Sequence, residues 1–134
     1  KNIGWNYYMN EFSAAIGLVQ LKKLDNANKK RKKIAKKYSE EISLENKMPF
    51  VNGCSYHFYW IKVKNRTKFR KKLFERGIET GIHYKPIHTF SFYKSKINLP
   101  VTEKVSKEIV SLPTHPNLSK KDLEKIIKTV NEFS

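Results

Sequence analysis

Cysteine, arginine and aspartate are scarce in this chain of 134 residues. The one cysteine, Cys54, excludes an internal disulfide framework and a cysteine-based zinc site. Only Arg31, Arg66, Arg70 and Arg76 among the 28 basic residues are arginine, so the planar fork that reads bases and clamps phosphates is rare. The only aspartates, Asp25 and Asp122, fall in helical contexts that account for them. No apolar run approaches a membrane span, and no signal peptide is visible. A glycine-rich phosphate loop and a G-x-S-x-G elbow are also missing. Adjacent carboxylates such as Glu40 and Glu41 lie among lysines at a helix end, which suits a surface role better than acid–base work.

What the chain has in excess is lysine. A net charge of +16 argues in general for attraction to nucleic acid or anionic surfaces. Here the lysines recur in every predicted helix instead of forming one block. The pattern reads as a solvated, lysine-biased surface, which disfavours nucleic acid as a partner. An acidic partner domain would also balance the charge. Hydrophobic residues at 39% and aromatics at 13% give one domain's worth of core.

Periodicity supplies the elements. From Asn10, a suitable N-cap, Phe12, Ala15, Ile16, Val19, Leu24, Ala27, Ile34, Tyr38 and Ile42 recur at three- and four-residue steps. This predicts one long helix that seeks burial, bent near Asn26 to Asn28, with KKRKKIAKK as its wet side. Asn46 to Gly53 closes it with a loop. Ser55 to Lys64 reads as a central strand, with Tyr56, Phe58, Trp60 and Lys62 on one face and His57, Tyr59, Ile61 and Val63 on the other. Thr67 to Arg76 is an amphipathic helix with Phe69, Leu73 and Phe74 inward, stopped by Gly77. A second strand, Ile78 to Tyr84, and a loop over Lys85 to Leu99 follow. A helix over Val101 to Val110 and an extended piece from Ser111 to Pro116 precede a last helix capped by Ser119. That helix has the stripe Leu123, Ile126, Ile127 and Val130. The fold class is α+β: a small, mostly antiparallel sheet packed on helices and preceded by a long N-terminal helix. Residues 1–45 form the long-helix, interdomain region and residues 46–134 the α+β sheet domain.

Two places carry chemistry. Thr80 to His88 sets His83, Tyr84, Lys85 and His88 around a strand end and a proline turn, where histidines can hold anions, orient hydroxyls or move protons. Satisfied or exposed histidines would explain the same spacing. No third ligand stands at metal spacing, His57 reads as a strand residue, and His115 lies between two prolines. The opening turn, Gly4 to Asn10, gathers Trp5, Asn6, Tyr7 and Tyr8 as a hydrophobic anchor or a binding surface.

Three motifs occur in order: G-W-N-Y-Y-M-N-E-F-S-A-A-I-G-L-V-Q-L, then F-E-R-G-I-E-T-G-I-H-Y-K-P-I-H, then S-L-P-T-H-P-N-L-S-K-K-D-L. From about Gly4 to Phe133 the chain resembles the C-terminal part of the DegT/DnrJ/EryC1/StrS family of pyridoxal-phosphate-dependent sugar aminotransferases. The resemblance implies the small C-terminal domain of a fold-type-I aminotransferase, acting on a keto nucleotide-sugar with glutamate as amino donor. It implies a homodimer with active sites at the subunit interface, and a cytoplasmic enzyme of polysaccharide or surface-glycan biosynthesis. By the same resemblance Asn6 and Tyr8 would reach the partner's cofactor phosphate, and His83, Tyr84 and His88 would line the sugar-nucleotide side. Where many members read N-Y-R-M this chain has Tyr8, a phenol that cannot form a bidentate phosphate clamp. None of its lysines sits in a motif matching the Schiff-base lysine, which the family carries upstream in its large domain. The expectation is a piece of a larger protein, with no catalytic residue of its own, not competent alone and exposing the apolar surface that a large domain would cover. The alternative is a stand-alone basic module for RNA, DNA or an acidic protein.

Overall fold

A computed structural model describes residues 7–93 and 97–134. Asn10 caps the first helix as expected, its side-chain oxygen accepting from the Ser13 amide at 2.8 Å. Helix α1, Glu11–Glu41, then continues unbroken through residues 26–28. Its two halves differ sharply. Ile34, Ala35 and Tyr38 are buried, but Phe12 is 83% exposed, and Ile16 and Val19 are exposed as well. The expected burial of that N-terminal stripe does not occur within this chain. The reason is length: at about 1.5 Å per residue the stripe from Phe12 to Val19 lies about 22–33 Å along the helix from Ile34, beyond the reach of the sheet.

The core forms where the second half of α1 meets strand β1 (Tyr59–Lys62), helix α2 (Arg66–Glu75), strand β2 (Ile109–Leu112) and helix α4 (Lys120–Phe133). β1 and β2 pair antiparallel, with Tyr59 opposite Leu112 and Lys62 opposite Ile109. Isolated bridges extend this ladder on both sides, Lys47 to Ile61 and Gly81 to Ser111. β1 is therefore flanked on both edges, as a central strand should be.

Several boundaries differ from the periodicity reading. The strand expected over Ser55 to Lys64 shrinks to four residues, and His57 sits in a bend. The cause is Tyr56, which holds φ at 51°, in the left-handed region. That turn buries Tyr56 alongside Tyr59 and Ile61 and breaks the alternation. Of residues 78–84 only Gly81 pairs, through its bridge to Ser111, so the expected second strand reduces to one rung. The true partner, β2, takes residues that periodicity divided between a helix and an extended piece. Helix α3 spans Pro100–Glu108 and stops there because β2 pairs with β1 from Ile109 onward.

Helix α2 buries Phe69 and Leu73, whereas Phe74, expected inward, is 68% exposed. Phe74 follows Leu73 by one position, about 100° further round the helix, and leaves the buried face. Gly77 ends this element with φ 71°, as a helix stop requires. The segment expected as loop, residues 85–99, holds short 3-10 turns at Ile87–Thr89 and Ser91–Tyr93. Helix α4 has the expected cap and stripe: Ser119 accepts from the Asp122 amide, and Leu123, Ile126, Ile127 and Val130 are all buried. α4 packs against both α1 and α2.

Two phenols anchor the centre. Tyr38 donates its hydroxyl hydrogen to the Pro113 carbonyl at 2.7 Å, tying α1 to the segment after β2. Its ring lies 5.2 Å from that of Tyr59, and burial pushes the Tyr38 phenol far above its ordinary range. Burial also raises the Tyr59 phenol, an effect the neighbouring Ser39 hydroxyl offsets in part. That contact falls short of a well-formed bond. Among the described residues Tyr59 Oη is the one buried side-chain polar atom without a hydrogen-bond partner.

The surface is lysine-rich throughout, and no described lysine is buried. The ion pairs that form are largely exposed, for example Lys36 with Glu40 at 3.7 Å and Lys71 with Glu75 at 4.0 Å.

Candidate functional site

The chemistry-bearing segment is residues 80–83, held at three points. Arg70 of α2 donates from Nε to the Thr80 hydroxyl at 2.9 Å and from a terminal nitrogen to the Thr80 carbonyl at 2.7 Å. Gly81 exchanges two backbone hydrogen bonds with Ser111 of β2, both at 2.9 Å. His83 then turns its ring back over Gly81, its Nδ1 lying 2.8 Å from the buried Ser111 hydroxyl. The tautomer decides which of these two donates. The ring also stacks on Phe58 at 5.5 Å, with 19° between planes.

Gly81 is required by this packing. A Cβ there would stand 2.5 Å from His83 Cε1, closer than two carbons tolerate. Ring, hydroxyl and stack together fix the imidazole, while Nε2 has no hydrogen-bond partner among the described residues. The ring lines a cavity of about 670 Å³ bounded by β2, the segment after it and α4. His57, His115, Arg31 and the exposed Lys125 also line this cavity. Such an arrangement can bind an anion or a sugar hydroxyl, and can exchange a proton through a held imidazole.

The other expected residues divide. Tyr84 packs edge-on against His83 at 4.7 Å but is 66% exposed, and it does not line the cavity. His88 points to α3, where Nε2 lies 3.2 Å from a Glu103 oxygen. It too is absent from the cavity wall, so one short motif supplies two separate sites. Tyr8 is 91% exposed at the start of the described chain. Asn6 lies outside the described residues.

Sequence reasoning missed Arg70, Gly81, Ser111 and Phe58. Arg70 and Phe58 carry no local signal, since their partners are ten and twenty-five residues away. Gly81, set between two β-branched residues, did have one: an isolated glycine in a strand pattern marks close approach.

With this geometry in hand, the class of protein follows from comparison. The sequence profile of the DegT/DnrJ/EryC1/StrS aminotransferase family matches residues 1–131, and the chain belongs to that family. A curated relative is the dTDP-3-amino-3,6-dideoxy-alpha-D-galactopyranose transaminase of Aneurinibacillus thermoaerophilus. It is 33% identical over 141 residues, covering 97% of this chain but 38% of the relative. The chain thus spans well under half the length of that protein.

Solved structures agree. The aminotransferase TlmJ from Streptoalloteichus hindustanus is 32% identical, with TM-score 0.84 over 92% of this chain and 36% of its own. Helicobacter pylori PseC, an aminotransferase involved in the biosynthesis of pseudoaminic acid, is 29% identical. Its TM-score is 0.85 over 99% of this chain and 39% of its own. A family aminotransferase from Brucella abortus is 32% identical with TM-score 0.84.

The family's aminotransferases use pyridoxal phosphate. The described residues do not by themselves fit that group. A lysine in Schiff-base linkage needs a desolvated position next to the cofactor ring. No described lysine is buried, and Lys125, the lysine lining the His83 cavity, is exposed.

Proposed function

We propose that this chain is the C-terminal part of a pyridoxal-phosphate aminotransferase acting on the keto group of a nucleotide-sugar, with glutamate as amino donor. The observation that carries it is the family match over residues 1–131 together with the buttressed His83 at a cavity. In this reading His83, Tyr84 and His88 face the sugar-nucleotide. His83 is the rigid member, and the exposed Tyr84 closes over the ligand. His88, held by Glu103, makes a separate contact. Asn6 and Tyr8 reach towards the cofactor phosphate of a second subunit in a homodimer. The Schiff-base lysine comes from outside this chain, so the chain alone is inactive.

We place the enzyme in the cytoplasm, in polysaccharide or surface-glycan biosynthesis. Among the described residues no helix is long and apolar enough to cross a membrane.

The test uses the intact protein that carries this chain. It should show the absorbance of bound pyridoxal phosphate and transfer an amino group from glutamate to a keto nucleotide-sugar. A folded protein that does neither, yet retards RNA or DNA at low salt, would instead support a basic binding module. Within the intact enzyme His88→Ala should lower sugar turnover while leaving cofactor absorbance in place. Equal loss of both would remove His88 from the sugar side.

A further inference from the structure

At the opposite end of α4 from the His83 cavity lies a second concavity of about 510 Å³. Four lysines line it, contributed by the end of β1 (Lys62), the following loop (Lys64) and α2 (Lys68 and Lys72). Lys64, Lys68 and Lys72 fall at successive four-residue steps, so the last two share one face of α2 and the first precedes it on the same side. No aspartate or glutamate is among the lining residues. None of the four joins an ion pair among the described residues. Lys36, Lys37 and Lys120 each meet a glutamate, whereas Lys29, Lys30, Lys32 and Lys33 of α1 also form no ion pair among the described residues.

Two features sharpen the imbalance. The first turn of α2 has no acidic residue, and Lys64 and Lys68 stand at the positive end of its macrodipole, where cations are disfavoured. The floor is apolar: Val63 and Phe69 lie beneath, and the Lys72 ammonium sits 4.4 Å above the Phe133 ring. Clustered ammonium groups with no carboxylate side chain among the lining residues, in a concavity of this size, suit a small anion. Lysine without arginine acts as a point charge, which suits phosphoryl oxygens without requiring a planar partner. Asn46 and Asn65 add amide groups at the rim.

We propose that the cavity between β1, α2 and the end of α4 is a binding site for a small oligophosphate. The lysines would hold its charges. The site is distinct from the His83 cavity, and the proposal stands whether or not the aminotransferase reading does.

Isothermal titration calorimetry of the intact protein that carries this chain, with sodium triphosphate at low ionic strength, tests it. A single site is expected, with inorganic monophosphate binding more weakly. Lys64→Ala with Lys68→Ala removes two exposed ammonium groups that form no ion pair among the described residues, and should weaken binding at least about tenfold at low ionic strength. Lys22→Ala with Lys23→Ala removes the same charge from an exposed part of α1 and should leave affinity within about twofold, since screening confines the effect to nearby groups. Thermal melting with and without triphosphate gives a second reading: the wild type and the α1 variant gain stability, the cavity variant does not. Absence of binding, or equal weakening by both double variants, overturns the proposal. The latter outcome would mean diffuse attraction to net charge alone.

Discussion

Replacing Tyr38 and Tyr59 by phenylalanine should shift stability in opposite directions, although both rings are fully buried and lie 5.2 Å apart. Tyr38 loses a 2.7 Å hydrogen bond and leaves the Pro113 carbonyl without its donor. That change costs about 1–1.5 kcal/mol. Tyr59 Oη has no well-formed hydrogen bond among the described residues, so its removal relieves a desolvated hydroxyl and gains about 1 kcal/mol. Urea denaturation at neutral pH, followed by near-ultraviolet circular dichroism, measures both. Alkaline pH separates the cases further. Burial raises the folded-state pKa of Tyr38 above its unfolded value near 10. The stability it contributes is therefore complete below pH 10 and is lost as the pH climbs toward the folded value. For one such group the loss reaches about 1.4 kcal/mol by pH 11. The deficit of Tyr38→Phe at pH 7 should thus vanish by about pH 11. Lysine titration is common to both proteins and cancels in the difference. A Tyr59→Phe change as costly as Tyr38→Phe, or a gap that stays constant between neutral and alkaline pH, would refute this account of the core.

Other outcomes follow from the site. Gly81→Ala places a carbon 2.5 Å from a ring held by Ser111 and Phe58, so His83 must leave its bond. A fall in sugar turnover of about tenfold or more, with a stability cost of about 1–3 kcal/mol, is expected from the overpacking. Unchanged turnover would detach His83 from the substrate. Arg70→Lys removes the two-point hold on Thr80 and should cost about 1–2 kcal/mol in thermal melts, since an ammonium cannot reproduce the fork. Gly77→Ala meets only an ordinary contact at 3.7 Å with Lys125 Nζ, so its cost of about 1 kcal/mol should come from the backbone at φ 71° alone. Gly77→Asn, which tolerates this conformation better, should recover part of it.

The sequence by itself determined those features whose causes are local. The caps at Asn10 and Ser119, the glycine stop at Gly77 and the four-residue stripe of α4 each depend on neighbours within one or two turns. The ordered motifs also determined the family, because three spaced patterns are specific where one is not.

Only the tertiary structure decided which apolar face finds a partner and which residues meet. Phe12 and Ile34 obey one periodicity, yet only Ile34 lies where the sheet and α4 can cover it. β2 begins at Ile109 because a strand some fifty residues earlier offers hydrogen bonds there, which local propensity cannot register. His83 and His88 look like one cluster in sequence. They separate in space because Ser111 captures one imidazole and Glu103 the other, through contacts 28 and 15 residues away. Spacing along a chain lists the side chains present, but long-range pairing decides where they point.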